Sequence, residues 1–132
     1  MKLDVAVGAS DTAMQRFTEL KVWQRGHALV LSTYRMTAAF PQTERYGLTS
    51  QLRRSTLSVP TNIAEGSKRL TAAEYARFLN IAEASLAETE YLVIVSRDLG
   101  YITPILATKT FEEISELSRM LHGLRKKVEA GK

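Results

Sequence analysis

The chain contains no cysteine. That excludes a disulfide framework, a thiolate metal site and a cysteine nucleophile. Histidine occurs only twice, at His27 and His122, and neither sits in a Glu-x-x-His pair. A di-iron carboxylate bundle needs such pairs on facing helices, so that chemistry is excluded too. Gly66 and Lys68 lack the upstream spacing of a phosphate-binding glycine loop. No serine has the strand-turn-helix setting of a nucleophile elbow; Ser55, Ser58 and Ser85 fall in helical stretches and read as small packing residues. No apolar run approaches the ~20 residues needed to span a bilayer. The N-terminal MKLDVAVGASDTAMQ interrupts its apolar part at Asp4, which makes a poor signal peptide. These absences point to a cytoplasmic chain with no membrane partner. They also point away from an enzyme and from any metal or cofactor.

What is present is a single domain's length, 132 residues, with an uneven distribution of charge. Arg16 to Arg69 carries nine basic residues against three acidic ones. Leu70 to Leu124 carries four against eight, and the last eight residues carry four against one. A basic first half and an acidic second half suit a nucleic-acid surface. They equally suit two halves that complement each other, within one chain or between subunits.

Four helical periods run along the chain, and no strand-like alternation survives beside them. Residues 1–17 read as a flexible arm, with translation starting at Met1 or at Met14. The bundle proper is expected over 18–130. The first helix is expected to open at Thr18 and run to about Ala39, where Pro41 stops it. Its apolar stripe reads Leu20, Trp23, His27, Val30 and Tyr34. Gly26 in its interior suggests a close approach by a neighbouring helix. The second helix spans about Leu48 to Ser67, capped near Thr49. Leu48, Leu52, Val59 and Ile63 lie on one side of it, and Gly66 marks its end. The third opens on the capping box Thr71 to Glu74 and stops at Gly100. The fourth follows Thr103-Pro104, with Thr108 or Thr110 as a second possible start. Its stripe is Phe111, Ile114, Leu117, Leu121, Leu124 and Val128. Short connections make an all-α, antiparallel up-down-up-down four-helix bundle.

Three sets of residues are candidates for function. Arg45, Arg53, Arg54, Lys68, Arg69, Arg125, Lys126 and Lys127 form basic groups able to neutralise phosphates. Tyr91, Leu92, Val93, Ile94 and Val95 are apolar or aromatic all round the third helix, which requires a second cover and marks an oligomer interface. Pro60 breaks the backbone ladder of the second helix, crowds the Thr56 carbonyl and predicts a kink, with Asn62, Glu65 and Gly66 following. Asn62 and Glu65 could line a polar pocket, or could satisfy backbone groups that Pro60 leaves free.

The ordered set of Leu20 and Trp23, Phe40, Pro41 and Glu44, Tyr46 to Thr49, Gln51, Ser58 to Pro60, Asn62, Ile63, Glu65, Gly66 and Ser85 carries a resemblance. From about Leu20 to Leu124 the chain resembles the four-helix-bundle family first noticed as reading frames in intervening sequences of bacterial 23S ribosomal RNA genes. Gly26 departs from the alanine expected there. The resemblance implies a small bundle assembled into a ring of five, with no catalytic residues to carry over. It further implies kinship with the accessory variability protein of diversity-generating retroelements, a basic pentameric barrel that binds a reverse transcriptase and nucleic acid. The leading expectation is a non-enzymatic homopentameric scaffold that binds structured RNA or DNA, with a reverse transcriptase as a protein partner by analogy. The alternative is a protein-interaction module whose charges serve its own assembly.

Overall fold

The computed structural model describes residues 16–131. Residues 1–15 of the expected arm, with both candidate start methionines, lie outside them. Four α-helices follow in order: α1 Lys21–Thr37, α2 Leu48–Ser67, α3 Ala72–Asp98 and α4 Pro104–Ala130. No strand occurs among the described residues. Consecutive helices pack on each other and α1 also meets α4, which closes an antiparallel bundle; no Cα of α1 comes within 8 Å of one in α3.

The start of α1 differs from the expectation. Phe17–Glu19 forms a separate 3-10 turn, Leu20 is extended, and α1 begins at Lys21. Thr18 does not cap the helix; its carbonyl accepts instead from the Gln24 side chain at 3.0 Å.

The buried stripe of α1 differs more. Val22, Gly26, Leu29, Thr33 and Met36 face the core, at steps of four and three. Of the expected stripe only Val30 is buried; Trp23 is half-buried, and His27 and Tyr34 are exposed. Both stripes have helical period, so periodicity alone cannot choose between them. The core takes the one without ring side chains. Gly26 lets α2 approach closely, with Pro60 and Val59 carbons 3.5–3.6 Å from where a Cβ would stand. Thr37 faces the core to meet Arg53, whose Nε donates to its hydroxyl at 2.8 Å.

At the start of α2, neither Thr49 nor Gly47 caps with a side chain. The Leu48 N–H donates to the Glu44 carboxylate at 3.1 Å, from one turn upstream. The helix continues through Pro60, whose ring packs against Gly26. No side chain among the described residues reaches the Thr56 carbonyl; Asn62 donates instead to the Ser58 carbonyl at 2.8 Å and its hydroxyl at 2.9 Å. Leu52, Val59 and Ile63 are fully buried, each stabilising the bundle by about 1.5–3 kcal/mol.

Gly66 lies inside the last turn of α2 rather than beyond its end. Its reason is contact: a Cβ there would fall 2.7 Å from that of Phe78 and 3.1 Å from the Tyr75 ring. Along the same α2–α3 seam the serines do more than pack. Ser55 shares a hydrogen bond with Thr89 at 2.8 Å, and Ser58 with Ser85 at 2.7 Å.

The capping box of α3 is half formed. Glu74 N–H donates to the Thr71 hydroxyl at 3.2 Å, while the Glu74 carboxylate turns to Arg77. At the other end Gly100 has φ +79°, Gly100 N–H donates to Arg97 and Tyr101 N–H to Ser96, a Schellman ending. Thr103 caps α4 through the Leu106 N–H at 3.1 Å, with Pro104 in the first turn, which settles the start there rather than at Thr108 or Thr110.

The two glycines predict opposite outcomes. Gly26→Ala meets only ordinary van der Waals contact and removes the helix cost of glycine, so it raises unfolding free energy by about 0.5–1 kcal/mol. Gly66→Ala forces α3 away and lowers it by about 1–3 kcal/mol. Urea unfolding of both variants reads the contrast.

Candidate nucleic-acid interface

The eight basic candidates do not form one surface. Three are engaged within the chain. Arg53 bonds the Thr37 hydroxyl and lies 4.4 Å from the centroid of the Tyr34 ring, pinning α2 to α1. Arg54, its neighbour in sequence, points to α3 and pairs with Glu88 at 2.7 Å. Arg125 joins α4 to α3 through Glu83 at 2.6 Å and also holds Glu129 at 2.9 Å. These bonds, Glu83 first, raise the guanidinium's already high pKa. The charge asymmetry of the sequence is thus partly satisfied inside the chain, with basic α2 against acidic α3.

Arg45 lies at the other extreme of α2, over the exposed Tyr46 ring at 5.4 Å. It sits at the end of the bundle that holds the α1–α2 and α3–α4 connections. There Tyr101 donates to the second oxygen of Glu44 at 2.9 Å. That bond, with burial and the carboxylate charge, raises the phenol's pKa above its ordinary value.

The remaining four candidates share the opposite end. Lys68 and Arg69 leave α2, while Lys126 and Lys127 lie in the last turns of α4; the antiparallel topology brings these ends together. Lys21, which the sequence reading did not single out, opens α1 at the same end. All five are exposed, and none has a carboxylate partner among the described residues. Arg69 rests 4.6 Å from the Phe78 ring centroid, with Arg77 4.8 Å from the same ring. Lys68, Arg69, Leu70, Thr71 and Glu74 line a hollow of about 260 Å³ beside the start of α3. Helix C-terminal carbonyls favour cations at these positions. Exposed lysines at one end of a bundle are also able to contact phosphates. Only the topology, not any sequence spacing, unites residues 21, 68 and 127.

The aromatic five-residue segment of α3 also divides. Leu92 and Val93 are buried in the chain's own core, Ile94 and Val95 are half-buried, and Tyr91 is 63% exposed. Asn62 is half-buried and bonded only to Ser58, and Glu65 is exposed with no cation partner among the described residues. They form no joint pocket. No cluster of His, Asp or Glu among the described residues could hold a metal ion. No helix among them is long and apolar enough to cross a membrane.

A model of the 23S rRNA-intervening sequence protein family matches residues 18–123. The chain belongs to this family. No curated protein matches it. Among solved structures it is similar to a crystal structure from Bacteroides thetaiotaomicron, described as a protein with unknown function from the S23 ribosomal protein family. The identity is 22%, the TM-score 0.73, and the match covers 80% of this chain and 95% of that one. At that identity the likeness supports the fold alone. The family assignment agrees with the resemblance carried by the sequence motifs.

The division among the arginines has a measurable consequence. Arg53→Ala removes a hydrogen bond to a buried hydroxyl and a ring contact, so it lowers stability by about 1–2 kcal/mol. Arg54→Ala breaks a solvent-exposed pair and costs about 0–1 kcal/mol. Thermal unfolding of the two variants ranks them.

Proposed function

We propose that the chain is a non-enzymatic, homo-oligomeric scaffold that binds the phosphate backbone of structured RNA or DNA. The observation that supports it is the gathering of Lys21, Lys68, Arg69, Lys126 and Lys127 at one end of the bundle, free of carboxylate partners among the described residues. Arg53, Arg54 and Arg125 drop out as primary contacts because they hold helices together. The proposed contact is electrostatic and reads shape rather than sequence, since no base-stacking ring interleaves the five cations. In a ring such as the pentamer that the family resemblance implies, each subunit presents this end on the same side. Several weak phosphate contacts then act as one multivalent surface.

A second reading keeps the oligomer and drops the nucleic acid. It is favoured by the intrachain pairs Arg54–Glu88 and Arg125–Glu83, which show basic charge already employed in packing. The two readings separate on binding. The protein is expected to bind a short RNA duplex in about 50 mM salt, with log affinity falling linearly in log salt. Replacing Lys68, Arg69, Lys126 and Lys127 with glutamine is expected to weaken binding at least tenfold, and to reduce the salt slope by about one for each phosphate no longer neutralised. Affinity that ignores salt, or that survives the fourfold replacement, refutes the nucleic-acid reading.

A further inference from the structure

The hollow at the α2–α3 turn mixes charges of both signs. Lys68 and Arg69 line it from the end of α2, and Glu74 lines it from the first turn of α3. A carboxylate beside two cations is expected to pair with them and cancel their charge. Glu74 pairs with neither. Both of its oxygens accept from Arg77, one from Nη2 at 3.3 Å and the other from Nε at 3.4 Å.

The local sequence explains the diversion. Arg77 follows Glu74 by three positions, so the two share one face of α3. The pair is exposed on both sides and adds little to stability. Its consequence lies in what it leaves free. Lys68 and Arg69 stay exposed, without a carboxylate partner among the described residues.

Arg69 is also held in place. Its guanidinium carbon lies 4.6 Å from the centroid of the Phe78 ring, where Gly66 lets α2 close on α3. A guanidinium resting on a ring still has N–H groups to donate, two at once, to phosphate oxygens. The N-terminus of α3, a helix of 27 residues, opens at the same turn and adds partial positive charge.

We propose that this hollow seats a phosphate of the nucleic-acid backbone on Lys68 and Arg69, and that Arg77 is the positioning residue that keeps Glu74 off both cations. The proposal rests on the nucleic-acid reading above and names its anchoring point. Arg77 acts there without touching the phosphate. It occupies the one carboxylate able to take the ligand's place.

A mutant cycle on the full chain tests this, with a short RNA duplex in about 50 mM salt. Arg77→Gln releases Glu74 to Lys68 and Arg69, and is expected to weaken binding about threefold. Glu74→Gln removes the competitor and is expected to tighten binding about threefold. It leaves the helix cap intact, because the Glu74 backbone N–H makes that bond. Arg77→Gln combined with Glu74→Gln is expected to bind at least as tightly as the wild type. Arg77→Gln combined with Glu112→Gln has the same net charge, yet Glu112 lies toward the other end of the bundle, beyond the screening length, so that protein is expected to stay weak. Amide resonances of Lys68 to Glu74 are expected to shift when duplex is added to the wild type. Circular dichroism verifies the fold of each variant. A wild type that binds no duplex overturns the nucleic-acid reading and this site together. Binding without shifts at Lys68 to Glu74 overturns the hollow alone. Three results overturn only the role of Arg77: Arg77→Gln binding like the wild type, no recovery on adding Glu74→Gln, or equal recovery on adding Glu112→Gln.

Discussion

The close approach of α2 to α3 is the constraint on which the other placements depend. It needs small residues at its contacts: Gly66 against Phe78, Ser58 against Ser85, and Ser55 against Thr89. Hydroxyls buried at such a distance must find partners, and here they find each other. Serine pairs are small enough to let two backbones close and polar enough to fix their register. Once α2 is set this way, its other side presents Val59 and Pro60 to α1 beside Gly26, with room left for one ordinary van der Waals contact. The proline thereby serves packing. Its missing N–H is less consequential than its flat ring.

The fold was largely legible because helix signals are local. The Thr71 and Thr103 caps and the Gly100 stop depend on neighbours within a few positions, and they appear where the sequence puts them. The stripe of α4 was also readable, since that helix has one dominant apolar face. Helix α1 was not readable, for a physical reason. It carries two stripes of equal period, and the core took the one with Val22, Gly26, Leu29, Thr33 and Met36, even though the buried Thr33 hydroxyl finds no partner among the described residues. Hydrophobic periodicity ranks faces by transfer free energy alone and cannot register such a choice.

The candidate interface was legible in kind and not in membership. Basic character in the first half was plain, yet Arg53 and Arg54, adjacent in sequence, point to different helices because successive residues on a helix diverge by about 100°. Lys21 and Lys127, more than a hundred positions apart, belong together for reasons of topology alone. The same limit applies to Tyr91 to Val95. A run apolar on every side signals that two covers exist, and Leu92 and Val93 show that one of them is the chain itself.

The Glu44 carboxylate bridges the start of α2 and the α3–α4 connection, through Leu48 and Tyr101, while the Phe40 and Tyr101 rings meet at 5.3 Å. One side chain thus ties both connections at that end of the bundle. The α2–α3 turn at the opposite end has no such cross-link among the described residues, and Leu70 at its tip is fully exposed. Local opening is therefore asymmetric: amides near Glu44 and Tyr101 exchange only through rare, large fluctuations, and those around Leu70 through small, frequent ones. The end with fewer cross-links is the one that gathers the lysines, so cationic side chains there can shift without disturbing the core.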